Sequence, residues 1–228
     1  MDIKLAVALP LFNDREYSQF WDSFLIMEKP ERFSYLRPDF PGRMDATRNI
    51  LVKSALEKGC SHIIFMDTDQ IYPSNTIPKL FQTLEACNCK VAGTVVYRRY
   101  IPFEPLVFTI EEGGLVRVDY EKIYQQEFLK VDAIGAGCVL YDLDIFRAIP
   151  SPWFEDQTHI VDEKTKRRGP GEDIGFCYKL REYGFEIFLN TSLDIGHIST
   201  LNINKAFFHV LSLIQKAVRQ PPLTIEKE

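Results

Sequence analysis

His62-Ile63-Ile64-Phe65-Met66-Asp67-Thr68-Asp69 is the stretch on which the fold turns. An apolar run rich in Ile and Phe ends abruptly in two carboxylates separated by one residue. Such a run reads as a buried strand. The strand delivers Asp67 and Asp69 to its carboxyl end, where open α/β sheets place their ligands. Two close carboxylates repel each other unless a cation, a proton or a donor network offsets the charge. A divalent metal shared with a phosphate-bearing molecule is the economical solution.

The neighbouring segments fit that frame. Residues 3–9 read as a near-continuous apolar strand of the buried parallel type, stopped by Pro10, with a loop over residues 11–14. Residues 45–58 read as a helix. Ala46, Ile50, Leu51, Ala55 and Leu56 share one face, and Gly59 marks its end. The strand quoted above spans residues 61–66. Pro73-Ser74-Asn75 opens a second helix to residue 86, and residues 91–97 form a third strand. This β-α-β-α-β order with short connections predicts a parallel sheet covered on both faces.

The middle of the chain changes character. Residues 98–130 mix Pro, Gly-Gly and alternating segments at 106–110 and 115–118, expected as short antiparallel or edge strands. An apolar run over residues 131–142 is broken by Gly135-Ala136-Gly137, and residues 142–148 predict a short helix. Residues 153–171 are polar, charged and aromatic without periodicity, the pattern of a mobile loop. A helix over 172–183 closes at Gly184, a last strand covers 185–189, and 194–197 is a strand end or turn. An amphipathic helix over 202–219 precedes Pro221-Pro222 and a charged tail. No internal repeat or linker divides the chain.

Composition narrows the class. A chain of 228 residues supports one sizeable α/β domain, and 46% hydrophobic with 26% charged residues is globular. The 17 Phe supply core, and exposed aromatics also stack on sugars and bases. Net charge is −5, and the densest cationic stretch is residues 164–168. That is not the footprint of a duplex-binding protein, so nucleic acid is disfavoured as a partner. The five cysteines, Cys60, Cys87, Cys89, Cys138 and Cys177, form no CxxC pair, and Cys87-Asn88-Cys89 is too tight for a zinc knuckle. They read as reduced thiols. The N-terminus lacks a basic region and a cleavage site, and no apolar stretch reaches membrane-span length, so a cytoplasmic location is expected.

An ordered set of segments carries a resemblance. It comprises LAVALPLFN (5–13), RMDATRNILVKSAL (43–56), IIFMDTDQIYP (63–73), AIGAGCVLYDLDIF (133–146), GPGEDIGFCYKLREYGFEIFLN (169–190) and DIGHIS (194–199). Over about residues 3–199 this order resembles the GT-A glycosyltransferases, especially their short bacterial and viral members. One DxD alone is weak; the set is specific because each segment sits where that fold needs it. The resemblance implies an α/β chain with a single GT-A (Rossmann-like) domain over residues 1–228. Its central sheet would be mostly parallel, with helices on both faces and a small antiparallel part. Residues 1–97 would be the nucleotide-binding half, 98–200 the acceptor and catalytic half, and 201–228 a C-terminal helix and tail.

What the resemblance implies for function is specific. It implies metal-dependent transfer of a sugar from a nucleotide diphosphate sugar, UDP-linked by preference, to a carbohydrate or other hydroxyl acceptor. Asp67 and Asp69 would hold Mn²⁺ or Mg²⁺ against the donor diphosphate, with Thr68 pointing the other way. His197 matches the late His that completes the metal site, and imidazole with carboxylates suits Mn²⁺ better than Mg²⁺. Gly171-Glu172-Asp173 matches an acidic motif at a helix N-terminus, where one carboxylate, usually the Asp, is the catalytic base. Asp173 as base implies direct displacement with inversion. Gly135, Ala136 and Gly137 match a small-residue segment that lets the donor approach the backbone. Pro10, Leu11 and Asn13 would seat the base; Arg43, Asp45 and Arg48 would line the nucleotide pocket. There Arg48 would reach phosphate, and Asp45 a base or ribose hydroxyl. Trp153, Phe154, Arg167 and Arg168 would belong to a lid.

Plainer readings stand beside each. Asp67 or Asp69 at a strand end also caps a helix, Glu172 and Asp173 suit any first helical turn, and a lone His is more often structural. Gly135-Ala136-Gly137 also makes a tight bend. Arg43, Asp45 and Arg48 also fit a solvated helix face capped by Asp45. In the C-terminal helix, Ile203, Phe207, Val210, Leu211, Ile214 and Val218 fall on one side, with Lys205, Lys216 and Arg219 elsewhere. Core packing, a dimer face and a membrane-surface contact all suit that pattern. Two rival functions share the DxD. A haloacid-dehalogenase-type phosphatase carries it on the first strand and does not continue Gln70-Ile71-Tyr72-Pro73. A non-catalytic nucleotide-sugar or carbohydrate-binding module keeps the metal pair but has no need of Asp173. Residues 98–130 carry no readable acceptor code.

Overall fold

The structure is a computed structural model that describes residues 3–11, 16–112, 114–161, 163 and 168–219, with the last three as backbone only. Asn13 and Arg167 therefore lie outside the described residues. The first part of the chain folds as β1 (Leu5–Ala8), α1 (Ser18–Ile26), β2 (Phe33–Leu36), α2 (Met44–Glu57), β3 (His62–Met66), β4 (Gln70–Ile71), α3 (Thr76–Ala86) and β5 (Val91–Thr94). The middle adds β6 (Val107–Glu111), β7 (Gly114–Arg117), α4 (Tyr120–Ile123), β8 (Phe128–Val131), β9 (Ala133–Ile134), β10 (Cys138–Asp142) and α5 (Asp144–Ala148). The last part is α6 (Glu172–Glu182), β11 (Ile187–Asn190), β12 (Gly196–His197) and α7 (Lys205–Arg219). Chain contacts group Met1–Ile198 as one unit and Ser199–Glu228 as another.

The first unit is built on a seven-stranded sheet in the order β2-β1-β3-β10-β5-β11-β8. Alternation along each central strand explains why helices cover both faces. Ala6, Ala8, Ile63, Phe65, Val139 and Tyr141 pack with Leu51, Val52 and Ala55 of α2, Phe146 of α5, and Phe176 and Leu180 of α6. The intervening Leu5, Val7, Ile64, Met66, Cys138 and Leu140 pack with Phe20 and Phe24 of α1 and Ile77, Leu80 and Leu84 of α3. Burying each such large side chain contributes about 1.5–3 kcal/mol. Strands clad on both faces must read as continuous apolar runs, as β1 and β3 do.

The sheet is mostly parallel, but β3 and β5 are not neighbours in it. β10 runs antiparallel between them, with Leu140 opposite both Ile64 and Ala92. Its apolar residues fill both faces as well as any parallel strand would, so periodicity alone does not reveal its direction. The expected short antiparallel strands are present. β6 and β7 pair antiparallel with Phe108 opposite Arg117, and β9 joins them as a third strand. α1 and β2 occupy a stretch that the sequence patterning left without elements.

The lid expectation needs correction at its start. Trp153 and Phe154 are core residues, 5% and 1% exposed. Phe154 packs 4.5 Å from Phe176, and Trp153 lies 5.5 Å from Phe146. Asn49 of α2 clamps their backbone: its Oδ1 accepts from Trp153 N (2.9 Å) and Phe154 N (3.2 Å), and its Nδ2 donates to Phe154 O (2.7 Å). Aromatic area gains more from the α2/α6 interface than from a solvent loop.

Candidate active site

The chemistry gathers where β3 ends. Asp67 N donates to Gly137 O at 2.9 Å, which ties the strand end to the turn before β10. The Tyr72 hydroxyl lies 2.8 Å from Asp67 O and 3.1 Å from Gly137 O, bridging the two carbonyls from a 2% exposed position. Sequence reasoning passed over Tyr72. The only signal was a tyrosine just after the acidic pair, in a run where a buried phenol needs a partner. A Cβ on Gly137 would stand 2.1 Å from Nε2 of the buried Gln70 and 3.1 Å from Asp67 Oδ2, so any side chain there would displace Gln70.

A second strand pair brings in the far end of the sequence. β12 pairs antiparallel with β4, setting His197 opposite Gln70, and Ile198 N donates to Asp69 O at 2.8 Å. His197 Nε2 therefore faces Asp69 Oδ1 at 3.5 Å. Its other ring nitrogen, Nδ1, hydrogen-bonds the Tyr97 carbonyl. That bond fixes the ring and leaves Nε2 turned to the carboxylate, the outer-shell arrangement typical of metal-binding imidazoles. Arg99 Nη1 meets Asp69 Oδ2 at 2.7 Å. Burial pushes the Asp69 carboxyl up, but His197 and Arg99 outweigh it and hold it below the ordinary carboxylate range. Burial lowers His197, and Asp69 with the Tyr97 carbonyl more than reverses that, so its pKa lies above the ordinary imidazole value.

Asp67 has different company. Arg48 rises from α2 with 2% exposure, its guanidinium 4.9 Å from the Phe65 ring and 5.9 Å from that of Phe154. Its Nη2 lies 3.4 Å from Asp67 Oδ1, and its Nε 3.7 Å from Glu172 Oε1. Nε and Nη1 have no hydrogen-bond partner among the described residues. Arg48 is thus a buried counter-ion beneath the carboxylates, where the resemblance implied an arm reaching phosphate. The Asp67 side chain keeps 26% of its surface open, yet the protein packed around it strips water and pushes its pKa up to about 6. Asp69, Glu172 and Asp173 add repulsion that Arg48 only partly offsets.

The acidic pair sits at the N-terminus of α6, behind Gly171 as N-cap. Asp173 Oδ1 accepts from Ile174 N at 2.7 Å, and the Ala136 amide also serves its carboxylate. Burial nevertheless raises both Asp173 and Glu172. A Cβ on Gly135 would come within 3.8 Å of Asp173 Oδ2 and 3.2 Å of Leu106. The Gly135-Ala136-Gly137 turn therefore runs between Asp67 and Asp173, close enough to bond both.

The structure thus brings Arg48, Asp67, Gly135, Ala136, Gly137, Glu172 and Asp173 together, with Asp69 and His197 beside them. Thr68 is 8% exposed. Arg43 and Asp45 form a separate pair: Nη2 to Oδ2 is 2.8 Å and Nε to Oδ1 3.1 Å. Asp45 is not the cap of α2, since Arg43 holds the N-cap position and Asp45 lies in the first turn, accepting from Ala46 N. The Arg43 guanidinium holds it below the usual carboxylate range. Pro10 and Leu11 are buried, and Leu11 O accepts from Gly42 N at 3.2 Å, joining the end of β1 to the approach to α2.

Among the described residues, no three His, Cys, Asp or Glu side chains converge as a ready cation cluster. Asp69 and His197 supply two adjacent ligands of the type Mn²⁺ favours, and Asp67 stands beyond Thr68 with Arg48 as its cation.

No protein-family model matches this chain, and neither does any curated protein sequence. Solved structures do. A197 from STIV superposes with a TM-score of 0.58 at 15% identity, over 86% of this chain and 85% of that one. TarS 1-349 of S. aureus, solved in complex with UDP-GlcNAc, gives 0.56 at 12% identity over 97% and 68%. GalNAc-T7, solved with UDP, GalNAc and Mn²⁺, gives 0.58 at 12% identity over 88% of this chain and 44% of its own. At such identities the likeness concerns the backbone, and it agrees with the seven-stranded sheet, the helices on both faces and the small antiparallel sheet: the chain has the GT-A fold.

Proposed function

We propose that the chain is a metal-dependent glycosyltransferase. It moves a sugar from a nucleotide diphosphate sugar, UDP-linked by preference, to a hydroxyl acceptor with inversion. The carrying observation is the junction of two sets of groups at one sheet end. Asp69 and His197 meet through the β4/β12 pair, and Asp67, Arg48, Glu172 and Asp173 stand beside them. UDP-GlcNAc bound to TarS, and UDP with Mn²⁺ bound to GalNAc-T7, support the donor class.

Asp69 and His197, with Asp67, would hold Mn²⁺ or Mg²⁺, and such an ion supplies Lewis-acid stabilisation of a leaving diphosphate. Asp173 is the base. Burial raises its pKa, which strengthens its pull on an acceptor proton. Glu172 supports it and is tied to Arg48, which positions the acidic groups from below. The turn from Gly135 to Gly137 admits the donor to the backbone. Residues 1–97 contribute the nucleotide-binding wall, with Pro10, Leu11, Arg43 and Asp45 on it, and residues 98–200 the acceptor wall. The five free cysteines suit a reducing, cytoplasm-like setting.

Calorimetry of UDP with and without Mn²⁺ tests the donor reading. Tighter binding with Mn²⁺ is expected; equal affinity in both, or none in either, would sink it. A hydrolysis panel of UDP-, GDP- and dTDP-sugars, comparing wild type with Asp69→Asn, then identifies the nucleotide.

A further inference from the structure

Gln70 is a polar side chain sealed inside the fold without a partner. It opens β4 and directly follows Asp69. Its exposure is 0%, and neither Oε1 nor Nε2 has a hydrogen-bond partner among the described residues. A carboxamide can donate two hydrogen bonds and accept two. Burying one unpaired costs free energy that an apolar side chain of similar shape would not. Such buried orphans are few in folded proteins, and each asks for a reason.

The surroundings supply one. Pairing with β12 pins the Gln70 backbone opposite His197. The amide occupies the space that a side chain on residue 137 would need, so that Nε2 and Asp67 Oδ2 flank the same point, 2.1 and 3.1 Å from a Cβ placed on Gly137. No hydrogen bond joins them. The other groups of the candidate metal site have their supports: the Tyr97 carbonyl orients His197, and Arg99 meets Asp69. For Asp67, Arg48 meets Oδ1 at 3.4 Å, and Oδ2 is the oxygen on the Gln70 side. Carboxylates that ligate a metal are themselves held by outer hydrogen bonds. The last torsion of a glutamine is broad, so turning the amide toward Oδ2 costs little.

We propose that Gln70 is a positioning residue for Asp67: when a divalent cation binds, Nε2 donates to Asp67 Oδ2 and holds the carboxylate in place for the ion. This rests on the metal-dependent reading of the site given above. Gln70→Met keeps the length of the side chain and removes the amide. In EDTA its melting temperature should not fall, and should rise by up to about 4 °C, because an unpaired group is removed and no bond is lost. With Mn²⁺ its UDP affinity should drop about 10–100-fold, the usual size of an outer-shell loss, and in EDTA it should equal that of the wild type. A merely structural glutamine gives the opposite pattern, a lower melting temperature with UDP affinity unchanged in both buffers. Either of those results would overturn the proposal. A crystal structure of the wild type with UDP and Mn²⁺ decides the point however the variant folds: Nε2 is expected within about 3.2 Å of Asp67 Oδ2, and an amide bonded elsewhere overturns it. Wild-type UDP binding that ignores Mn²⁺ would remove the metal reading and this inference with it. Mn²⁺-dependent binding that survives intact in Gln70→Met breaks this inference alone.

Discussion

Asp67 and Asp69 leave the same strand one residue apart and keep similar open surface, 26% and 20% of their side chains. Their surroundings nonetheless drive them in opposite directions, Asp67 up to about 6 and Asp69 below its ordinary value. Loss of water is the largest cause of the rise at Asp67, and at Asp69 the donors within reach outweigh it. Asp69 has Arg99 at 2.7 Å and the His197 ring facing it. Asp67 has Arg48 at 3.4 Å, which it shares with Glu172, and a weaker pull from His197, while Asp69, Asp173 and Glu172 add repulsion. One wall of the site is thus rich in carboxylates around a single buried cation, and the other is rich in donors around a single carboxylate. The first is arranged to take up a proton or a cation, the second to keep a charge in place.

The sharpest way to break this contrast is at the base. Asp173→Asn should cut sugar release from the preferred donor by about 10²–10⁴-fold while leaving UDP affinity within about twofold. Steady-state hydrolysis and calorimetry read the two quantities separately. Full turnover in this variant would make the carboxylate-rich wall purely structural. Next in size is the cation below it. Arg48→Met keeps the packing on Phe65 and Phe154 but leaves Asp67 and Glu172 uncompensated, a loss of about 3–5 kcal/mol for a broken buried pair. Arg99→Met, on the donor-rich wall with 53% of the side chain exposed, should cost under about 1 kcal/mol. Urea titration of both variants compares the walls directly, and similar losses would erase the distinction between them.

The pH dependence should follow the same division. The folded chain holds the Asp67 proton up to about 6, against an ordinary value of 3.8. The native state therefore binds more protons than the unfolded chain between those values, and stability declines as pH rises through them, by about 3 kcal/mol in total. Glu172 and Asp173, also raised, act in the same direction. Asp69, lowered, acts in the opposite one: its contribution is present above its ordinary value and is lost as pH falls through the lowered value. In EDTA, Asp67→Asn should flatten the decline between pH 4 and 6. An unchanged slope would mean that burial does not hold Asp67 as proton-rich as its surroundings imply.

Legibility in the sequence followed the same physics. The apolar run ending at Asp67 was readable because its pattern is local; α2 was readable as a helix, but its buried face is Thr47, Arg48, Leu51, Val52 and Ala55, and the expected Ile50 is 59% exposed. β10 was not, because its direction depends on which strands it enters between, and alternation is the same either way. The acidic pair at α6 was visible from Gly171-Glu172-Asp173, but the burial of Arg48 was not. A lone Arg on a helix reads as solvated until Phe65 and Phe154 are seen to roof it. Trp153 and Phe154 were misread for the converse reason, since polar neighbours hid a core anchor that only Asn49, over a hundred residues earlier, makes plain. Tyr72 left only its place just after the acidic pair, and Arg99 left no pattern at all. Their roles arise from contacts with Gly137 and Asp69 that no spacing encodes.

A last test concerns the donor-rich wall itself. His197 reaches Asp69 only because β12 pairs with β4, and the Tyr97 carbonyl fixes which nitrogen it presents. If that orientation exists to serve a metal, removing the imidazole should matter only when the metal is there. His197→Gln should therefore lose about 10–100-fold in UDP affinity with Mn²⁺ present, the usual size of such ligand and outer-shell effects. In EDTA its UDP affinity should equal that of the wild type. A loss of the same size in both buffers would point instead to a ring that braces Asp69 and the β4/β12 pair, because a brace acts whether or not a cation is bound. The ratio of the two affinities, more than either alone, separates a ligand from a strut.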